Sequence, residues 1–510
     1  MSTKARWSIY ALLIVIALSF RLFIALRLPN DEPDDGRVYS QIARNMLEQH
    51  VYSIESQAPY TPTLIRLPGY PLFVAAIYAV FGHGNNTAVR VAQAVLDTIT
   101  CLLIAWVVFE WSRKRWAAVI ALGLAAVCPF TAIYVATILT EVPTNFLAVA
   151  MVLTATFAFK ATVRRRVLAW WIVTGLLAGI AVFFRPDSGL FAAAIGLTLM
   201  LPALSGFRKF REATLYAAIF SIAFCLVLVP WTIRNRRLFH VFQPLSPAHA
   251  EMPGEFVPRG YLLWVRTWLD DQRYVAPALW AMDTRQIHVE DFPARAFDSK
   301  EERDRVAALF EKYNHPDGEE ADEQQSADDD QGDDSSGDEG DEQEEEPEPE
   351  EHPEPADANV EMTPDIDAGF AQIGQERVAH SRLRYYVVLP LKRAMTLWFD
   401  THSQYYPFNG ELLPLEDLDH DIHQQYWLPL FAGLTGIYTL LGVIGGWLLW
   451  RSGDRKWLLL AALMIFLRLG FFATLENPEP RYTVELFPFL IILGAAGLAT
   501  VFRQDLQDFP

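Results

Sequence analysis

Residues 7–39 read WSIYALLIVIALSFRLFIALRLPNDEPDDGRVY, an apolar run that ends in a knot of carboxylates. How that run is read decides the fold. It follows Lys4 and Arg6, as the core of a signal peptide would, but it is too long for one and has no small-residue cleavage site. About 20 apolar residues are what a helix needs to cross the roughly 30 Å of hydrocarbon in a bilayer. The run is therefore expected to be a retained first span, with Asp31, Glu32, Asp34 and Asp35 at its exit.

The rest of the chain agrees. Of its 510 residues 52% are hydrophobic and 15 are Trp, and the mean hydropathy is positive. That is too apolar and too aromatic for an ordinary soluble enzyme of this length. Further runs of spanning length fall near 88–109, 116–135, 142–160, 167–184, 188–204, 213–230, 427–450, 457–475 and 484–502. They make about ten crossings and predict an all-α polytopic membrane protein. Cations flank alternate ends, at Lys4/Arg6, Arg113/Lys114/Arg115, Arg164/Arg165/Arg166, Arg208/Lys209/Arg211, Arg451/Arg455/Lys456 and Arg503. By the positive-inside rule these ends and both termini are cytoplasmic. The 67–81 run is too short to cross and reads as an interfacial or re-entrant helix.

The formal charge of -19 misleads, because residues 316–358 hold 22 Asp and Glu and no Lys or Arg, leaving +3 on the remainder. So polar a stretch buries too little to order itself. No nucleic-acid partner is implied. Cys101, Cys128 and Cys225 lie in apolar runs, where a thiol acts as a small hydrophobe, and neither a disulfide framework nor a zinc spacing appears. Three regions result: a membrane module 1–230 with an acidic outer loop 29–87, an extracytoplasmic segment 231–426 containing the acidic insert, and the last spans within 427–510. A basic, aromatic run at 383–399 is expected along the outer membrane boundary.

This topology gathers chemistry on the outer face. Asp34 and Asp35 precede a helical pattern, Ile42, Ala43, Met46 and Leu47, where the helix dipole favours carboxylates on structural grounds alone. A shielded carboxylate there would also suit a general base. Arg66, Arg185, Arg234 and Arg481 all fall at outward ends of spans or in the outer loop, against the usual bias of cations to the inside. Guanidinium is the group that matches phosphate with paired hydrogen bonds. Glu141 opens a span near the same face and can orient an arginine or an acceptor. Asp97, deeper, shares a helix face with Arg90 and Gln93, and at that depth must face protein or a water-filled cavity. An internal pair is the plainer reading. An intramembrane relay of a transporter or lipid flippase is the alternative.

The order of motifs resembles a family: Asp35-x-x-x-Tyr39 and a following Ala-Arg-Asn-Met-Leu, Arg-Leu-Pro-Gly-Tyr-Pro at 66–71, Leu-Thr-Glu at 139–141, Phe-Arg-Pro at 184–186, Pro-Trp-Thr-Ile-Arg-Asn at 230–235 and Arg481-Tyr482 before the last span. It is similar to the GT-C integral membrane glycosyltransferases, in the bacterial branch related to dolichyl-phosphate-mannose protein mannosyltransferases and the aminoarabinose lipid A transferase. The acidic insert departs from that pattern, as does Gly36, where relatives often carry a second acid. The resemblance implies a GT-C-like bundle in the cell (inner) membrane. It also implies inverting sugar transfer from a polyprenyl-phosphate carrier to a lipid, glycan or protein hydroxyl outside. Asp35, or next Asp34, would be the base, with Arg66, Arg185, Arg234 and Arg481 on the donor phosphate and Glu141 and Tyr39 toward the acceptor. No cofactor is certain. A divalent cation is left open, with Asp31 and Glu32 the candidates to hold it.

Overall fold

The computed structural model describes residues 3–27, 34–316, 360–399 and 424–501, and among these the regular elements are helical. Among the described residues nine helices are long and apolar enough to cross a membrane: Trp7–Arg27, Asn86–Ser112, Glu141–Lys160, Arg164–Phe184, Pro186–Ser205, Phe207–Phe239, Leu430–Ser452, Arg455–Ala473 and Pro480–Val501. A tenth candidate is a broken pair: Arg115–Ala126 and Pro129–Ala136 meet at 53°. The break falls before Pro129, which forces Cys128 into extended backbone and so cannot continue a helix. The polytopic all-α bundle expected from the apolar runs is what the chain forms. One boundary differs. The helix expected to end at Pro230 runs on to Phe239, because Trp231 and Asn235 on its continuation are buried and Asn235 is tied to the carbonyl of Gln243 at 2.8 Å.

The chain divides into two compact units, Met1–Phe256 with Leu397–Phe472 and Glu479–Pro510, and Val257–Thr396 with Ala473–Pro478. In the first, helix Glu141–Lys160 is central. It packs along Asn86–Ser112 and Arg164–Phe184, and most of its residues are buried. The core includes Ala148, Val149, Met151 and Val152 with Ile491 and Ile492 of the last span. The second unit is built around an aromatic cluster in which Tyr261 and Trp264 of helix Arg259–Arg266 meet Phe310 of Lys300–Asn314 and Phe370 of Pro364–His380. The basic, aromatic run expected at 383–399 is helical, as Arg384–Val388 followed by Leu389–Phe399.

Two short helices of the first unit carry the motifs of the 29–87 stretch. Asp34–Glu48 opens directly on the acids. The short helix expected within 67–81 is Gly69–Phe81. Its Pro-Gly start has a steric reason: a Cβ on Gly69 would lie 2.6 Å from the Phe183 carbonyl carbon and oxygen, so only glycine lets the helix begin against the end of Arg164–Phe184. Tyr70, one residue on, packs edge-on to Tyr39 at 5.0 Å and donates to Gln93 at 2.8 Å. These contacts join Asp34–Glu48, Gly69–Phe81 and Asn86–Ser112.

Candidate active site

Asp35 lies in the first turn of Asp34–Glu48, and Tyr39, one turn on, shares its face. The Asp35 carboxylate accepts from Arg66 at 2.8 Å and lies 3.6 Å from Arg481. Burial works to raise its pKa, but the Arg481 and Arg66 charges and the Arg66 hydrogen bond outweigh it, holding the carboxyl below its ordinary value. The group is therefore ionised at neutral pH. Burial, aided by the Asp35 charge, pushes the Tyr39 hydroxyl up, so Tyr39 stays protonated.

Each arginine is aimed by its own surroundings. Arg66 sits on a stretch held by Tyr52, whose hydroxyl donates to the Arg66 carbonyl at 3.1 Å and whose carbonyl accepts from the Thr63 N–H at 2.9 Å. Arg481, in the turn Pro480–Leu486, pairs with buried Glu479 and lies over the Tyr482 ring at 5.3 Å. Arg185, between two spans, donates to buried Glu141 at 2.9 Å and to Asp187 at 3.3 Å, lies 3.6 Å from Glu485, and stands over the same Tyr482 ring at 5.4 Å.

Asp35, Tyr39, Arg66, Glu141, Arg185 and Arg481 thus line one cavity of about 280 Å³, together with Asp187, Tyr482 and the segment 246–250. Three guanidiniums and three carboxylates face one another there. Arg234 is not in that lining. It donates to the Thr63 carbonyl at 2.9 Å and lies over Trp231 at 4.6 Å and Tyr52 at 5.1 Å, where it braces the stretch that bears Arg66. Asp31 and Glu32 lie outside the described residues, as does the side chain of Asp34. Among the described residues no three His, Cys, Asp or Glu side chains converge as a metal ion requires.

Sequence reasoning passed over the layer behind. Arg468, fully buried in helix Arg455–Ala473, donates to Asp187 and to the Tyr482 carbonyl at 3.1 Å, and pairs with Glu485 at 3.1 Å. Charges this deep are tolerated only when paired. Asp187 directly follows the Phe-Arg-Pro motif, and Glu485 lies three residues beyond Tyr482. A lone Arg in an apolar run was the available signal for Arg468. The same signal marked Arg21, whose guanidinium donates to Asp97 at 2.6 Å and to the carbonyls of Ala125 and Ala126 at 3.1 and 3.0 Å. Asp97 is thus held in an internal pair that also ties down the carbonyl end of Arg115–Ala126.

Residues 62–233 match the family model of dolichyl-phosphate-mannose-protein mannosyltransferase. The chain is 24% identical over 235 residues to the undecaprenyl phosphate-alpha-4-amino-4-deoxy-L-arabinose arabinosyl transferase of Erwinia tasmaniensis, covering 43% of this chain and 40% of that one. To the second such transferase of Proteus mirabilis it is 26% identical over 203 residues, covering 40% and 35%. The matches therefore span well under half of these curated relatives. Among solved structures it resembles the archaeal oligosaccharyltransferase AglB of Archaeoglobus fulgidus, with a TM-score of 0.50 and 12% identity over 98% of this chain and 51% of that one. The bundle has the GT-C fold, and the chain resembles the GT-C integral membrane glycosyltransferases.

Proposed function

We propose that this protein transfers a sugar from a polyprenyl-phosphate carrier to a hydroxyl of a lipid, glycan or protein acceptor, on the outer face of the cell membrane and with inversion. The observation that carries this reading is the Asp35 carboxylate set between Arg66 and Arg481 in a cavity that Arg185 also lines. The donor type named for the arabinosyl transferases supports it. Both termini would lie in the cytoplasm, opposite the cavity.

In this mechanism Asp35 takes the proton of the acceptor hydroxyl as its oxygen attacks the anomeric carbon. The bond from that carbon to the phosphate oxygen breaks on the opposite side, and the phosphate leaves on its prenyl chain with the electron pair. Arg66, Arg481 and Arg185 supply fixed positive charge where negative charge develops, which is where it is worth most. Their carboxylate partners do not preclude this, since each guanidinium has five N–H donors. Glu141 orients Arg185. Tyr39, one turn from Asp35, meets the acceptor. Arg234 acts through Thr63 on the placement of Arg66.

The test is transfer by the purified protein from undecaprenyl-phosphate-linked aminoarabinose or mannose to extracted envelope acceptors. Asp35→Asn is expected to lower the rate about 10²- to 10⁴-fold, the usual worth of a general base, with the protein still folded in the membrane. If both Asp35→Asn and Asp34→Asn keep the wild-type rate, the assignment fails.

A further inference from the structure

A second cavity, of about 640 Å³, lies at the other end of helix Arg164–Phe184 from Arg185. The helix length separates the two by roughly 30 Å. The cavity exists because two spans touch and then part. A Cβ on Gly175 would lie 2.3 Å from the Phe220 carbonyl oxygen, so Arg164–Phe184 and Phe207–Phe239 meet there backbone to backbone. Gly179 meets Phe224 and Val227 in turn, so the two helices run in the same direction. Toward their N-termini they open a wedge walled by Phe159, Val167, Trp171, Leu199, Leu215 and Tyr216. Trp171 fixes the floor, edge-on to Phe159 at 5.1 Å and to Phe220 at 6.3 Å.

Arg164, Arg211 and Glu212 stand on the rim. Glu212 lies 3.7 Å from Arg208. Among the described residues no carboxylate is within ion-pair distance of Arg164 or Arg211, in contrast to every arginine of the Asp35 cavity. We infer that this wedge is a binding site for an anionic phospholipid, with Arg164 and Arg211 on its phosphodiester and an acyl chain along the aromatic wall. Unpaired guanidiniums above an apolar groove between spans complement that chemistry. Glu212 decides between phosphate types. Its charge penalises a dianionic phosphomonoester more than a singly charged phosphodiester.

The experiment uses the full-length protein, delipidated in neutral detergent, with binding followed by the shift of the thermal midpoint. Phosphatidylglycerol is expected to raise the midpoint by several degrees and phosphatidylcholine not to. Arg164→Gln with Arg211→Gln should weaken phosphatidylglycerol about tenfold or more, as the loss of charge-assisted hydrogen bonds implies. Arg165→Gln with Arg166→Gln removes equal charge beside the site and should change its affinity less than about twofold. Equal shifts from the two phospholipids would overturn the proposal. So would equal losses in the two variants, which would mean diffuse attraction to a basic surface. Undecaprenyl phosphate competing at the wedge more tightly than phosphatidylglycerol would overturn it as well.

Discussion

The guanidinium of Arg66 lies 2.8 Å from the carboxylate of Asp35, although a loop and a helix separate them in the chain. The pair joins the acidic exit of the first span to the Leu-Pro-Gly-Tyr-Pro motif. It makes Arg66 both the partner of the proposed base and a wall of the cavity.

Arg66→Lys keeps a charge but loses the planar fork of donors. Transfer is expected to fall on the order of 10- to 100-fold, the worth of one or two hydrogen bonds to a charged group, with the donor KM rising. Initial rates against donor concentration read this directly, and an unchanged KM and kcat would remove Arg66 from the donor site.

The depressed pKa of Asp35 sets a pH expectation. A carboxyl lowered below its ordinary value is ionised above that range and loses its proton-accepting form only as pH falls through the lower value. The rate should therefore show no loss of base between pH 7 and about 5. A pH–rate profile with an acid limb near 6 that disappears in Asp35→Asn would contradict the charge arrangement described here.

Arg468→Met leaves Asp187 and Glu485 buried without one of their two shared cations. Breaking a buried pair in this way costs on the order of 3–5 kcal/mol. The melting temperature in detergent should drop, and Arg468→Lys should recover part of it. A melting temperature equal to wild type would show that the layer behind the cavity is not needed for stability.

Arg21→Ala removes the partner of Asp97 and the donor to the end of Arg115–Ala126. A loss of similar size, about 3–5 kcal/mol, is expected, with Asp97→Asn milder because no bare charge remains. If instead Asp97→Asn abolishes lipid flux across proteoliposomes while sugar transfer persists, the transporter reading gains and this one loses.

Deletion of residues 316–358 should leave transfer within a few-fold of wild type, since the segment's composition offers almost nothing to bury. Loss of activity in a stably inserted deletion would assign the acidic insert a role in acceptor or ion recruitment.

Much of this protein is determined locally, and that part was readable. Hydrophobic run length decides which segments become spans, so nine of the expected runs, and the helix that opens at Asp34 and Asp35, followed from the order of residues along the chain. That Arg66, Arg185 and Arg481 stand at one end of the bundle with Asp35 was legible as well, because position along the chain fixes height in a bundle. What height cannot specify is azimuth, the side of each helix and the neighbour it meets. Only the tertiary structure set Arg66 and Arg481 on Asp35, turned Arg234 to the Tyr52–Trp231 face, and paired Arg21 with Asp97. It also joined Arg468 to Asp187 across helices distant in sequence. Charges buried in an apolar bundle must find partners, but which partner depends on how the helices pack, and that packing is a property of the whole chain.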